Sequence, residues 1–299
     1  NGIPIKEIAS YAFQYNLKIE NLYLSDNIIK IGEYAFECCN NINKITFGDK
    51  LEEIGISAFD DCDELEEIIL PSSIKKIGDF AFGYCDMLTT VKMDVANTTL
   101  GESVFIECRM LNNVQISGKI DEISKYCFKY CSNLEKIILP YGLQSIGDYA
   151  FYGCSDLKSV TIPNSVKSIG SFAFSFCDSL TSIEIPDSVI KINEGCFHYC
   201  LQLEKVKLSN NITEISRSCF SMCKKLLSIE IPDSVTTIEP HAFEYCTMLE
   251  EMYISKNLKY IRSNAFYDCY NLKSVLHLDS IEQIDANAFS DCLKLKEVY

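Results

Sequence analysis

One interval organises the whole chain. A Phe returns every 23 residues, at Phe13, Phe36, Phe59, Phe82, Phe105, Phe128 and Phe151, and then at Phe174, Phe197, Phe220, Phe243, Phe266 and Phe289. Thirteen repeats of 23 account for all 299 residues with no insertion or deletion. A fixed period of this size marks an array of small supersecondary units, each of which buries its apolar face only against its neighbours.

Other slots keep step with that Phe. Three residues later stands Cys in twelve of the thirteen repeats, from Cys39 to Cys292, with Asn16 in the first. An aliphatic such as Leu65 or Leu157 follows at six, aliphatic pairs such as Ile183/Ile185 at nine and eleven, and pairs such as Val166/Ile169 at fifteen and eighteen. Just before the Phe sits a small residue, usually Ala (Ala35, Ala173), which Cys127, Cys196 and Cys219 replace in three repeats. The consensus reads I-G-x-x-A-F-x-x-C-x-x-L-x-x-I-x-I-P-x-S-V-x-x.

The spacing changes within each unit. The I-x-I alternation predicts a short strand with both aliphatics on one face. A-F-x-x-C places the small residue and the Cys four apart, on one side of a helical or 3₁₀ turn. Pro71, Pro140, Pro163, Pro186 and Pro232 after the strand, and Gly32, Gly78 or Gly170 before the turn, punctuate the corners. Stacked coils bury what one coil cannot, each slot meeting its equivalent as a ladder rung. The fold class expected is a repeat solenoid forming one domain over 1–299.

This consensus resembles leucine-rich repeats, specifically the BspA-like type, whose units read A-F-x-x-C-x-x-L-x-x-I-x-I-P, and the match runs the length of the chain. The resemblance implies thirteen coils with a parallel β-sheet on the concave face, short 3₁₀ or irregular turns on the convex side, and no catalytic residues or cofactor. It also implies surface or secreted proteins that bind host matrix, host cells or other microbes, found in oral and gut bacteria and in mucosal protozoan parasites.

Composition narrows the partners. The formal charge is −15, which repels phosphate backbones and anionic lipid and argues against nucleic-acid or membrane-surface binding. No apolar run approaches the length of a membrane span. The chain opens NGIPIKEIASYAF and stops at Tyr299, where a further strand residue would follow, so the array is expected to be a fragment that continues in at least one direction.

The sixteen Cys read mainly as a stack of buried thiols acting as small hydrophobes. Two alternatives stand beside this. Ladder neighbours about 5 Å apart are within disulfide reach. Cys196, Cys200, Cys219 and Cys223 form two C-x₃-C pairs on adjacent coils, a candidate for a Cys₄ zinc cluster. Cys38 falls outside the ladder and is expected to be exposed.

Little else suggests chemistry. His198 and His241 fall in variable slots and are expected to be solvated, while His277 occupies an aliphatic slot. No triad spacing, phosphate loop or metalloprotease motif is present, and carboxylate pairs such as Glu66/Glu67 fall on variable positions. The expectation is a non-enzymatic chain. Two glycosylation sequons occur, at Asn97 and Asn211. Asn97 replaces an aliphatic in a segment, Met93 to Phe105, that also lacks the Pro and is expected to bulge.

A binding surface would be written in the variable slots of the strand. Between the two aliphatics the ladder includes Tyr23, Ile69, Ile138, Glu184, Glu230, Tyr253, Leu276 and Tyr299, and the last two with Tyr253 form a C-terminal apolar cluster suited to a partner. Strand propensity alone also favours such residues. A second aromatic row flanks the Phe, with Tyr84, Tyr130, Phe176 and Tyr199 after it and Tyr34, Tyr149 and Phe172 before it. It is expected to cover the convex side. The leading functional expectation is an adhesin at the cell surface or secreted, which binds host or matrix protein through the concave face. The alternative is an intracellular, cytoplasmic scaffold with its own protein partner, favoured by so many thiols in a reducing compartment. A receptor ectodomain is a third.

Overall fold

The structure, a computed structural model, describes residues 5–276 and 278–298. The chain forms two compact units, Asn1–Leu143 and Gln144–Tyr299. Each is a parallel-strand β-solenoid that advances one coil per 23 residues.

Every coil has three sides. The first is the strand predicted from I-x-I. In the first unit Asn21–Tyr23, Lys44–Thr46, Glu67–Leu70, Thr90–Ala96, Asn113–Lys119 and Lys136–Ile138 pair in that order. The register joins equivalent slots, as in Leu22↔Ile45 and Ile68↔Val91. The second side is a two-residue strand ending on the slot-eighteen aliphatic: Glu7–Ile8, Lys30–Ile31, Glu53–Ile54, Lys76–Ile77 and Thr99–Leu100 form one such row. In the second unit the equivalent strands pair Lys191–Ile192 with Ser168–Ile169, and Tyr260–Ile261 with Thr237–Ile238.

The third side, around the Phe, takes the irregular form. The only 3₁₀ segment among the described residues is Leu278–Ser280, away from this turn. The backbone instead alternates. The residues two before and two after the Phe hold left-handed conformations, for example Phe172 (φ 55°) and Phe176 (φ 58°). Their N–H groups and that of the Phe point to the next coil: Phe172, Phe174 and Phe176 donate to the carbonyls of Glu194, Cys196 and His198 at 2.8–2.9 Å. The residues between bond locally, Ser175 N–H to the Phe172 carbonyl at 3.2 Å and Cys177 N–H to the Phe174 carbonyl at 3.3 Å. A left-handed aromatic costs about 1–2 kcal/mol. That cost is offset by the inter-coil bond and by ring stacking on the neighbouring rung, as in Tyr11–Tyr34 (5.0 Å) and Phe176–Tyr199 (4.8 Å). The aromatic rows read from sequence therefore lie on this strained turn rather than on a helical one.

Inside, the predicted ladders hold. Phe rings stack from rung to rung, Phe151–Phe174 at 5.2 Å and Phe174–Phe197 at 5.6 Å with planes within 5°. The ladder Cys does more than fill space. Its thiol donates to the carbonyl of the preceding coil's Phe, Cys177 to Phe151 at 3.3 Å and Cys200 to Phe174 at 3.1 Å, and the same bond recurs at Cys62 and Cys246. An Ala there would leave a void where the sulfur stands and remove that donor, which fits a slot held by Cys while the slot before the Phe accepts Ala. All sixteen cysteines are free thiols. No cluster of metal-ligating residues, including Cys196, Cys200, Cys219 and Cys223, is arranged to hold an ion among the described residues. Cys38 is half-buried, and its thiol donates to Asp61 Oδ2 at 3.5 Å.

The segment after Met93 corrects one expectation. It does not bulge. With the Pro missing, Thr90–Ala96 and Asn113–Lys119 continue as seven-residue strands paired at every position. Val95 takes over the inward position that Asn97 cannot supply, and Asn97 ends the strand exposed at φ 60°. This extension depends on Gly118, at φ +91°, where a Cβ would lie 1.9 Å from the Val95 carbonyl oxygen. Gly142 shares the conformation, φ +92°, but a Cβ there would meet nothing nearer than 4.0 Å. Gly142→Ala is expected to cost about 1–2 kcal/mol from the left-handed backbone alone, and Gly118→Ala at least twice as much. Urea midpoints of the two variants check this, and equal losses would show that the close approach carries no weight.

Candidate functional site

The strand side is where side chains are free to vary. In the first unit the slot between the aliphatics presents Tyr23, Ile69 and Ile138 to solvent, Ile138 with 75% of its surface exposed. Register sets Tyr23 against Thr46, Ile69 against Lys92, and Ile138 against Gln115. Lys92 Nζ reaches back to Glu67 Oε1 at 2.8 Å, so one charge pair flanks Ile69. Tyr141, three residues beyond Ile138, is 93% exposed and was not singled out from sequence. A signal existed: its slot holds Asp26, Asp49, Asn164, Asp187 and Asn210 in other repeats. Asn210 N–H donates to Asp187 Oδ1 there, at 2.8 Å. A Tyr forgoes that rung-to-rung bond.

In the second unit Glu184 is held by Lys207 across the rung at 2.5 Å, and this bond raises the Lys207 pKa. Glu230 faces Tyr253 in register, and Tyr253 faces Leu276. Tyr253 is exposed, with its hydroxyl 3.3 Å from Glu251 Oε2. The backbone thus places Tyr253 and Leu276 on adjacent rungs. Tyr299, the third member of that cluster, and His277 lie outside the described residues.

Two breaks interrupt this face, one after Ser159–Thr161 and one between Lys205–Lys207 and Ser228–Glu230. Ser159–Thr161 and Ser182–Glu184 are neighbouring rungs but do not belong to one hydrogen-bonded sheet; Ser182–Glu184 pairs only with Lys205–Lys207. A cleft opens at this first break, lined by Thr161, Asn164, Glu184, Asp187, Ser188 and Lys207.

The turn side departs from expectation in the histidines. His198 is half-buried among Phe172, Phe176 and Tyr199, and burial lowers its pKa. His241 is half-buried too, with Nδ1 3.2 Å from Glu244 Oε2 but off the direction of a hydrogen bond. In the first unit burial, aided by Glu37 and Asp61, pushes the Asp60 carboxyl up to about 7, and its Oδ1 lacks a partner. The folded-state value exceeds the ordinary carboxylate value, so ionised Asp60 opposes folding above about 7, and the penalty fades as pH falls toward about 3.9. Asp60→Asn is expected to raise the urea midpoint at pH 8, with the gain gone at pH 3.5. A gain that does not change with pH would point to packing instead.

Of the two sequons, Asn97 stands exposed at its strand end. Asn211 is exposed as well, but its amide donates to the Asp187 carbonyl at 2.7 Å.

A family model for the BspA type leucine rich repeat region, six copies long, matches residues 6–135, 121–248 and 169–296. The chain belongs to the BspA-type leucine-rich repeat family. Among solved structures it is similar to a leucine-rich repeat protein from Bacteroides ovatus, with 28% identity and a TM-score of 0.61, covering 99% of this chain and 88% of that one. It is also similar to a leucine rich cell surface protein from Faecalibacterium prausnitzii, with 26% identity and a TM-score of 0.53 over 96% and 86% of the two chains. The pneumococcal vaccine antigen PcpA, at 21% identity and a TM-score of 0.52 over 98% and 79%, shares the fold. No curated protein matches the chain. BspA-type repeats belong to a fold that is typically non-enzymatic and binds proteins. No helix among the described residues is long and apolar enough to cross a membrane.

Proposed function

We propose that this BspA-type array is a non-enzymatic binding module of a cell-surface or secreted adhesin, which contacts host or matrix protein through its strand faces. The observation that carries the reading is the set of large apolar side chains standing exposed in or beside one variable slot, Tyr23, Ile69, Ile138, Tyr141 and Tyr253, in a chain of charge −15. Large aromatic and aliphatic anchors are the usual composition of an interface centre, with polar and charged side chains at its rim. The cell-surface description of the Faecalibacterium relative supports the location. The thiol count weighs less against secretion than it does in sequence, because fourteen of the sixteen cysteines are buried and committed to the core.

The test is binding to a panel of immobilised extracellular-matrix proteins. Ile69→Glu with Ile138→Glu, and separately Tyr253→Glu, are expected to weaken binding at least about tenfold, the loss typical of a buried anchor. Retained binding in both variants removes the strand faces as the site.

A further inference from the structure

The turn side of the second unit carries a feature that the strand-face reading does not use. Five rings form a closed circuit. Tyr149 stacks on Phe172 at 5.2 Å and contacts Tyr152 at 5.5 Å; Tyr152 meets Phe176 at 5.2 Å; and His198 stands edge-on to Phe176 at 5.9 Å and to Phe172 at 6.3 Å. Tyr199 extends the circuit, stacked on Phe176 at 4.8 Å. At its centre Ser175 is fully buried, its hydroxyl donating to the His198 carbonyl at 2.9 Å. Gly195 permits the closure, since a Cβ there would lie 2.2 Å from the Phe172 ring.

Charge makes the patch unusual. In the first unit the two slots after the Phe hold Glu37, Asp60, Asp61 and Glu107. From Tyr152 to Met222 the same slots hold no charged side chain, and burial keeps His198 toward its neutral form. Three carboxylates stand on the rim, Asp148 and Glu194 beside the Phe172 edge and Asp178 two residues beyond Phe176, against one cation, Arg217, in the slot next to Glu194. Asp148 Oδ1 already accepts from Ser171 N–H at 2.6 Å. Asp178 is half-buried, and its Oδ1, buried without a hydrogen-bond partner, leaves that carboxylate poorly satisfied by the protein itself.

We infer that this aromatic circuit is a second interaction surface, and that it takes a protein segment bearing one or two large apolar side chains next to Lys or Arg. The apolar anchor covers the rings of Phe172, Phe176 and Tyr199, removing aromatic surface from water. The basic group pairs with Asp178 and its neighbours on the rim, which gives the surface its sign preference.

The test uses a fluorescent peptide with Trp and Leu flanked by lysines, and a second peptide with Glu in place of each Lys. Phe176→Asn and Tyr199→Asn are suitable variants because Asn tolerates the left-handed backbone at φ 58° and 61°. An unchanged urea midpoint confirms that they fold. The basic peptide is expected to bind at least tenfold more tightly than the acidic one. It should lose at least tenfold in the double Asn variant and severalfold in Asp178→Asn, and be unaffected by Tyr253→Glu on the strand side. Undiminished binding to the double variant would mean association by net charge alone and overturn the inference, as would no binding at millimolar peptide.

Discussion

Raising the pH from 8 to 10 is expected to destabilise this protein steeply, by several protons' worth of linkage. Burial pushes the thiols of Cys62, Cys85, Cys177 and Cys223 well above their usual range, and that of Cys127 up to about 12. In the unfolded chain the same thiols ionise near about 8.5. The folded form therefore keeps protons that the unfolded form gives up. The stability that each thiol contributes is whole below about 8.5 and falls by about 1.4 kcal/mol per pH unit above it, until the folded value is reached. Five thiols together lose about 7 kcal/mol within the first full unit, comparable to the about 5–15 kcal/mol that holds a domain together. Urea midpoints measured from pH 7 to 10 check this. Cys127→Ala, in a slot where ten repeats carry Ala or Val, should lower the slope by about one proton. A slope of one proton or less in the parent protein would remove the thiol ladder as its cause.

The second large effect belongs to the Phe ladder. Phe174 is fully buried and stacked on both sides, and Phe174→Ala is expected to cost about 3–5 kcal/mol. In a repeat array that loss is felt by the coils next to it rather than spread over the chain. Amide exchange should therefore accelerate in coils 151–200 while the coil around Phe243 stays protected. Phe13 is the control: it is 41% exposed and stacked on Phe36 alone. Phe13→Ala should cost less than half as much, and equal losses would contradict a stacked ladder.

Most of this architecture was legible because a 23-residue period repeats one physical demand thirteen times. Phe174, Cys177, Ile183 and Ile185 are buried as the pattern required. The conformation of the turn was not legible. Tyr and Phe at positive φ run against local preference, and only the bonds and stacking between coils make them stable there. Nor did the sequence disclose the Sγ donor bonds, since slot counting sees the size of Cys and not the carbonyl 26 residues back. The Met93–Phe105 segment misled for a related reason. A missing Pro reads as a defect within one coil, whereas Val95 and Gly118 on adjacent coils turn it into a longer strand. The strand-face residues were legible as positions but not as a site, because exposure such as that of Tyr141 depends on what the neighbouring rungs present.

The unbroken period also bears on how such a chain can change over generations. Where every rung meets its equivalent, an in-frame duplication or loss of one coil leaves matching surfaces on both sides, so array length can drift without new packing solutions. Gly195 under Phe172 is an exception to that freedom. These two coils fit each other and not an average neighbour, so a crossover that parted them would set the Phe172 ring against a side chain. Such mismatched pairs act as linkage points, keeping certain coils together while the rest of the array is shuffled.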